Sequence, residues 1–378
     1  MKQFLYLTMA PIDESSGVYK KIIAQVDAFY RLGYEGKVLF VRDTAVAYIR
    51  SIDGSIEELD LDNKEIKDVL LRYMASCEFC YARFELLRHS HYCKMIILCK
   101  KIGLKIVSEI PTYPPYQESI ARVKDSWSHG RYFCALKTLL GTLIVIMDMY
   151  IMSFYSKIIV MIADNKKFLF SRTIRIENGI DCAKNPFSIN KEDDTINIIA
   201  VSNFSVWNGY DRALLGLANY VDKHEDCNIH LIMVGDKKAG SSLIQQTKAL
   251  GIEKFVTFTG ALSGKELNDV YASADIALGA IGNHRRKVFA NSSLKAKEYA
   301  SRGMLMVLAD SEGIENEVLE KSFIVKSNED PIDFEQVSMW YNAIKNKIEL
   351  RNFIHSFAVR NYAWDVQICK VIKQIDML

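Results

Sequence analysis

An excess of charge of one sign is missing from this sequence: 48 lysines and arginines stand against 46 aspartates and glutamates, for a formal net charge of +2. Such a balance gives no global attraction to a polyanion, and no nucleic-acid partner is expected. Proline is scarce, at 6 of 378 residues, and 49% of the chain is hydrophobic, which excludes disordered, collagen-like and proline-rich classes. Eight cysteines fall at irregular spacings with no secretory signal, so reduced thiols in a cytoplasmic protein are expected. Met1-Lys2-Gln3 followed by Phe4-Leu5-Tyr6-Leu7 reads as a first strand. No apolar run reaches the ~20 residues of a membrane span. The most apolar stretch, Leu139 to Met152, carries Asp148 and is expected to be a helix buried against a sheet.

Nucleotide and hydrolase signatures are absent as well: there is no G-x-G-x-x-G, no Walker P-loop, no H-E-x-x-H and no G-x-S-x-G. Common dehydrogenase, ATPase, zinc-protease and serine-hydrolase chemistries thereby lose support, and no cofactor is expected. Cys77 and Cys80 with His89, His91 and Cys93 invite a zinc reading, but on a strand the two cysteines at that spacing face opposite sides. No metal is expected.

What is present is alternation. Strand-like runs near Phe4 to Leu7, Lys37 to Val41, Phe79 to Phe84 and Leu104 to Glu109 are interleaved with helical periodicity over Val18 to Leu32 and Glu85 to Lys101. A longer helical region, roughly Glu118 to Ser156, leads to a strand at Lys157 to Ile162. After a polar stretch from Cys182 to Asp194, the best linker candidate, the pattern restarts, with strands at Ile196 to Val201, Ile229 to Val234, Phe255 to Phe258, Ile276 to Leu278 and Leu305 to Leu308 separated by helices. Two Rossmann-like α/β domains are implied, over 1–182 and 195–358, and ligands in such sheets bind at the carboxyl ends of the strands.

The richest such end is Leu278 to Gly303, where a loop with glycines and the cluster His284, Arg285, Arg286 and Lys287 feeds a helix starting near Asn291-Ser292-Ser293. Free amides and the positive end of a helix suit a phosphate or diphosphate, with Glu298 placed to accept from sugar hydroxyls. The plain alternative is a capped helix with solvated cations.

The order of elements adds a resemblance. Val201-Ser202-Asn203-Phe204, Asn208-Gly209-Tyr210-Asp211-Arg212, Met233-Val234-Gly235-Asp236, Val256 to Ala261, Tyr271 to Ile276 and Lys297 to Gly303 follow one another as in the nucleotide-sugar domain of retaining family 4 glycosyltransferases of GT-B fold. The first half resembles that family more loosely, through Ser16-Gly17, Glu109 to Pro114 and Glu177 to Asp181. Tyr362-Ala363-Trp364-Asp365 looks like the start of the helix, about 360–378, that crosses back to the first domain. The resemblance implies two Rossmann-like domains facing across a cleft. It implies retaining transfer of a sugar from a nucleoside-diphosphate sugar to a glycan or lipid-linked acceptor, as in bacterial surface polysaccharide synthesis.

By the same resemblance, Glu298 would hold ribose. In place of the family's own cations, Arg285, Arg286 and Lys295, with Ser292, Ser293 and Leu294 through their amides, are the groups available to hold the diphosphate and stabilise its departure. Arg285, Arg286 and Glu298 are the catalytic candidates. Thr259 and Gly260 would approach the base, and Asn203 would lie by the donor. Gly17, Glu109, Thr112 and Tyr113 would line the acceptor side. The sequence departs from the family at Ala290, where a first glutamate is expected, and at Asn203 and Asn208, where an arginine and a lysine would meet the diphosphate. A nucleotide-sugar epimerase and a non-catalytic partner subunit are the alternatives. Arg83, Arg88, Lys94, Lys100, Lys101 and Lys105 among apolar residues form either a solvated helix face or a surface for anionic lipid, peripheral at the inner face of the cell membrane.

Overall fold

The computed structural model describes residues 1–14, 16–42, 45–84, 89–111, 123, 126–127, 130–162, 167–187, 194–286, 293–310 and 314–378. The chain divides into two compact units, Met1–Glu177 with Trp364–Leu378, and Asn178–Ala363.

The first unit is built on a nine-stranded sheet of order β4-β3-β2-β1-β5-β6-β7-β9-β8. Its strands are β1 (Lys2–Thr8), β2 (Tyr34–Val41), β3 (Val46–Arg50), β4 (Ile56–Asp60), β5 (Phe79–Arg83), β6 (Lys105–Ile110), β7 (Ile158–Met161), β8 (Lys167–Phe168) and β9 (Ser171–Arg175). Parallel pairing runs from β2 through β1, β5, β6 and β7 to β9, while β3, β4 and β8 pair antiparallel at the edges. Phe4, Leu5, Tyr6 and Leu7 are all fully buried, because helices cover both faces of the central strands.

Helix α1 (Gly17–Arg31) starts where Ser16 accepts the amide of Val18 at 3.2 Å. It buries Ile22, Val26 and Phe29 on one face of the sheet together with Ile368 and Val371 of the C-terminal helix, Trp364–Ile375. On the other face lie α2 (Lys64–Ser76), α3 (His89–Lys101) and α4 (Tyr132–Tyr155), through Leu70, Ile96, Val145 and Met152 among others. The sequence reading does not disclose β3, β4 or the β8–β9 hairpin, whose runs are short so that tertiary packing decides their state, and it passes over α2, a 13-residue amphipathic helix capped by Asn63.

The expectation that Leu139 to Met152 is buried against the sheet is corrected. In α4 only one side is covered: Val145, Met149 and Met152 enter the core, and Asp148 is buried there accepting from the Cys93 thiol at 3.1 Å. The opposite side exposes Phe133 (82%), Leu136, Leu140, Leu143, Met147 (64%), Tyr150 and Phe154 (67%) in one stripe at spacings of three and four. A helix apolar all round carries no periodicity that tells a packed side from an open one.

The second unit has a six-stranded, wholly parallel sheet of order β12-β11-β10-β13-β14-β15. Its strands are β10 (Ile196–Val201), β11 (Ile229–Val234), β12 (Val256–Gly260), β13 (Ile276–Leu278), β14 (Leu305–Ala309) and β15 (Phe323–Val325). Helices α5 (Tyr210–Val221), α6 (Ser241–Ala249), α7 (Gly264–Ala272), α8 (Leu294–Ser301), α9 (Asn316–Leu319), α10 (Phe334–Ile344) and α11 (Ile348–Tyr362) complete it. Counted within the unit, the order is that of a doubly wound dinucleotide sheet, 3-2-1-4-5-6, whose switch point lies between β10 and β13. The stretch expected to begin as a linker at Cys182 starts inside this unit. Ile180 bridges to Ala363, and the Asn185 side chain donates to the Ser301 hydroxyl at 2.8 Å.

Candidate functional site

At the switch point β10 and β13 pair only at Ile198 with Ile276 and Ile199 with Ala277. Beyond that the strands part, and α8 fills the parting. The buried Tyr299 hydroxyl accepts the Val201 amide at 3.1 Å and donates to the Leu278 carbonyl at 3.4 Å. One side chain thus ties the two strand ends to the helix whose N-terminus points into the crevice.

Two loops meet there. The loop leaving β10 passes through Phe204, at φ +54°, and a short 3-10 turn, Val206–Asn208, to Gly209 at φ +70°. The Ile281 amide donates to the Asn208 carbonyl at 2.9 Å. A Cβ on Gly209 would stand 2.6 Å from the Gly282 nitrogen, so glycine is required there by conformation and by contact.

Lys295, in the first turn of α8, sends its ammonium to the Asn208 side-chain oxygen at 3.0 Å and the Tyr210 hydroxyl at 2.8 Å, with the Tyr210 ring centroid at 5.2 Å. Ser293 caps the helix, accepting the Ala296 amide at 3.2 Å. By helix geometry the amides of Leu294 and Lys295 have no intrahelical acceptor, and with the helix dipole they suit an anion. Glu298 is one turn on, a third exposed, with Arg302 Nη2 at 3.3 Å; the Arg302 guanidinium lies 4.0 Å over the Tyr271 ring.

Arg285 corrects an expectation. Its Nε donates to Glu329 at 3.0 Å, Nη1 to the Val206 carbonyl at 2.8 Å and Asp211 at 2.9 Å, and Nη2 to Asp211 at 2.8 Å and to Glu329. Every N–H of the guanidinium therefore has a protein acceptor, and none is left for a diphosphate. The group pins the β13 loop to the loop before α5. Hydrogen bonds from Arg285 and His284 hold Glu329 down to about 2, and Glu329 and Asp211 in turn raise Arg285. Arg212 is likewise structural, donating to the carbonyls of Asp330 at 2.7 Å and Lys326 at 3.1 Å and to that of Ile281.

Of the other sites expected on this unit, Asn203 turns its side-chain oxygen back to accept from the Ser205 hydroxyl at 2.8 Å and from the Asn208 side-chain Nδ2 at 3.3 Å. The Gly260 carbonyl is engaged by the Thr259 hydroxyl at 2.8 Å and the Gly235 amide at 3.0 Å. Arg286 ends a short 3-10 turn, Asn283–Arg286, its side chain undescribed; Ser292 and Ala290 lie outside the described residues, as do Thr112 and Tyr113 of the first unit.

In the first unit Glu109 also corrects an expectation: it does not line an acceptor surface. It is buried at the end of β6, taking Lys21 at 2.8 Å, Gln25 at 3.0 Å, Tyr81 at 3.0 Å and Arg83 at 3.4 Å. Burial alone would raise its pKa, but the charges of Lys21 and Arg83 and the hydrogen bonds from Lys21 and Gln25 outweigh it and bring it to about 2. Gly17 opens α1 next to empty space: a Cβ there would meet nothing within 4 Å. A cavity of about 450 Å³ opens by the carboxyl ends of β1 and β2, lined by Ala10, Ile12, Phe40, Arg42 and Tyr48.

Sequence reading passed over Tyr299, Tyr210 and Glu329. The tyrosines stand inside quoted motifs, and only their positions under the strand ends give them a role.

A doubly wound sheet with a helix start and an ammonium at its switch point, joined in one chain to a second Rossmann-like unit, defines a GT-B protein. Residues 181–353 match the family described as glycosyl transferases group 1. No curated protein matches the chain. Solved structures match over its whole length at low identity. A glycosyltransferase from Rickettsia africae is 13% identical with TM-score 0.65, covering 100% of this chain and 98% of that one. HepE of Anabaena, in complex with UDP and glucose, is 12% identical with TM-score 0.57, covering 100% of both. The sucrose-phosphate synthase of Thermosynechococcus elongatus is 12% identical with TM-score 0.61, again covering 100% of both.

Proposed function

We propose that this chain is a retaining glycosyltransferase that moves a sugar from a nucleoside-diphosphate sugar to a glycan or lipid-linked glycan, in surface polysaccharide synthesis at the cytoplasmic face of the membrane. The observation that carries the reading is the Lys295 ammonium, 3.0 Å from the Asn208 side chain. Resemblance to the family calls for a diphosphate-binding lysine at about position 208; here a lysine on α8 brings its ammonium to the Asn208 side chain. Charge building on a departing diphosphate needs a fixed cation and oriented amides, and Lys295 with the amides of Leu294 and Lys295 supplies both. Glu298 stands one helical turn further on, where a ribose would follow the phosphates. The uridine nucleotides bound to HepE make UDP-sugars the first donors to try. Gly17 and the cavity by β1 and β2 supply room for an acceptor on the first unit.

Thermal-shift measurements with UDP, GDP, ADP, CDP and their sugars, on the wild type and Glu298→Ala, test the donor site, because a ligand that binds only the native state raises its stability. One nucleotide is expected to shift the wild type and not the variant. No shift with any nucleotide would favour a non-catalytic subunit. Nucleoside diphosphate released only when acceptor is present distinguishes the transferase from an epimerase.

A further inference from the structure

We propose that the open face of α4, continued by the tip of the β8–β9 hairpin, docks on an anionic lipid surface. The stripe from Phe133 to Phe154 runs the length of a 24-residue helix, about 36 Å at 1.5 Å per residue. Phe170, 65% exposed at the hairpin tip, extends it, with ring centroids 6.0 Å from Phe154 and 6.3 Å from Tyr150. An apolar surface of this extent marks an interaction site.

Charge chooses the occupant. Lys137 on the helix, Lys157 just after it, and Lys167 with Arg172, paired across the hairpin, are all exposed. Over 131–157 and 167–175 the single acid is Asp148, and it is buried. A symmetric pairing of two copies through this face would set cations against cations, whereas anionic headgroups neutralise them. Crossing the bilayer is excluded by the inner side of α4, since Val145, Met149 and Met152 are part of the first unit's core. The helix therefore lies in the interfacial plane, with its aromatic and aliphatic stripe among the acyl chains and its cations at headgroup level. The inference does not rest on sugar transfer, and its readout needs no nucleotide.

The test is cosedimentation of the full chain with vesicles of phosphatidylethanolamine and phosphatidylglycerol, and with vesicles of phosphatidylcholine alone. Binding is expected to the anionic vesicles, weakened by salt, and reduced by at least ~10-fold in the double variant Phe133→Glu, Met147→Glu, whose side chains are exposed. Lys167→Glu with Arg172→Glu is expected to weaken it while the melting temperature holds. No binding to anionic vesicles, or equal binding by the wild type and both variants, overturns the proposal. So does a dimer in sedimentation velocity that the Phe133 and Met147 substitutions abolish.

Discussion

Lys295 and Asn208 meet at 3.0 Å across the switch point of the second sheet, joining the first turn of α8 to the loop that leaves β10. The pair brings a cation to the loop although no loop residue supplies one. Replacing Lys295 by alanine removes a charge-assisted contact worth about 1.5–3 kcal/mol, so nucleoside-diphosphate affinity should fall roughly 10- to 100-fold. Calorimetric titration of UDP into the wild type and Lys295→Ala checks this. Unchanged affinity would remove the cation from the donor site.

Arg285 should behave in the opposite way. Its N–H groups are engaged by Asp211, Glu329 and Val206, acceptors that water can reach, so Arg285→Ala should lower stability by only about 1 kcal/mol. Denaturant melts of Arg285→Ala and Lys295→Ala, set beside their nucleotide affinities, separate a loop pin from a ligand-binding cation.

Tyr299→Phe leaves the partly buried Val201 amide without its acceptor, for an expected loss of about 1 kcal/mol in unfolding free energy. Because the same hydroxyl spaces α8 from the strand ends, nucleotide binding should weaken as well. A stability loss with unchanged binding would restrict Tyr299 to the core.

Gly209→Ala introduces a Cβ 2.6 Å from the Gly282 nitrogen at φ +70°, a strain of about 1–3 kcal/mol. The loops after β10 and β13 must separate to relieve it. Titration of UDP into this variant should show a larger fractional loss than its melting temperature suggests.

Glu109 sets an acid limit. Its pKa of about 2 in the folded chain lies below the ordinary carboxylate value near ~4.3, so its contribution is complete above the ordinary value and is lost as pH falls through the folded one. Glu109→Gln removes the buried charge that Lys21 and Arg83 face and should cost about 3–5 kcal/mol near neutral pH. Urea melts should show that difference shrink steadily from about pH 5 towards pH 2. A constant difference would mean that the carboxylate charge contributes nothing.

The sequence by itself determined the two Rossmann-like units, the strand-end motifs of the second and the start of α8, because these depend on local periodicity, turn chemistry and the order of elements. Only the tertiary structure decided which charges meet. Arg285 and Asp211 are 74 positions apart and Lys295 and Asn208 are 87 apart, and no local pattern says that one cation is consumed inside the protein while the other stands in the crevice. The tertiary structure also decided that Glu109 is a buried counter-charge, and that α4, apolar throughout, has one side in the core and the other open. Burial belongs to the neighbours a residue acquires on folding, and those neighbours come from distant parts of the chain.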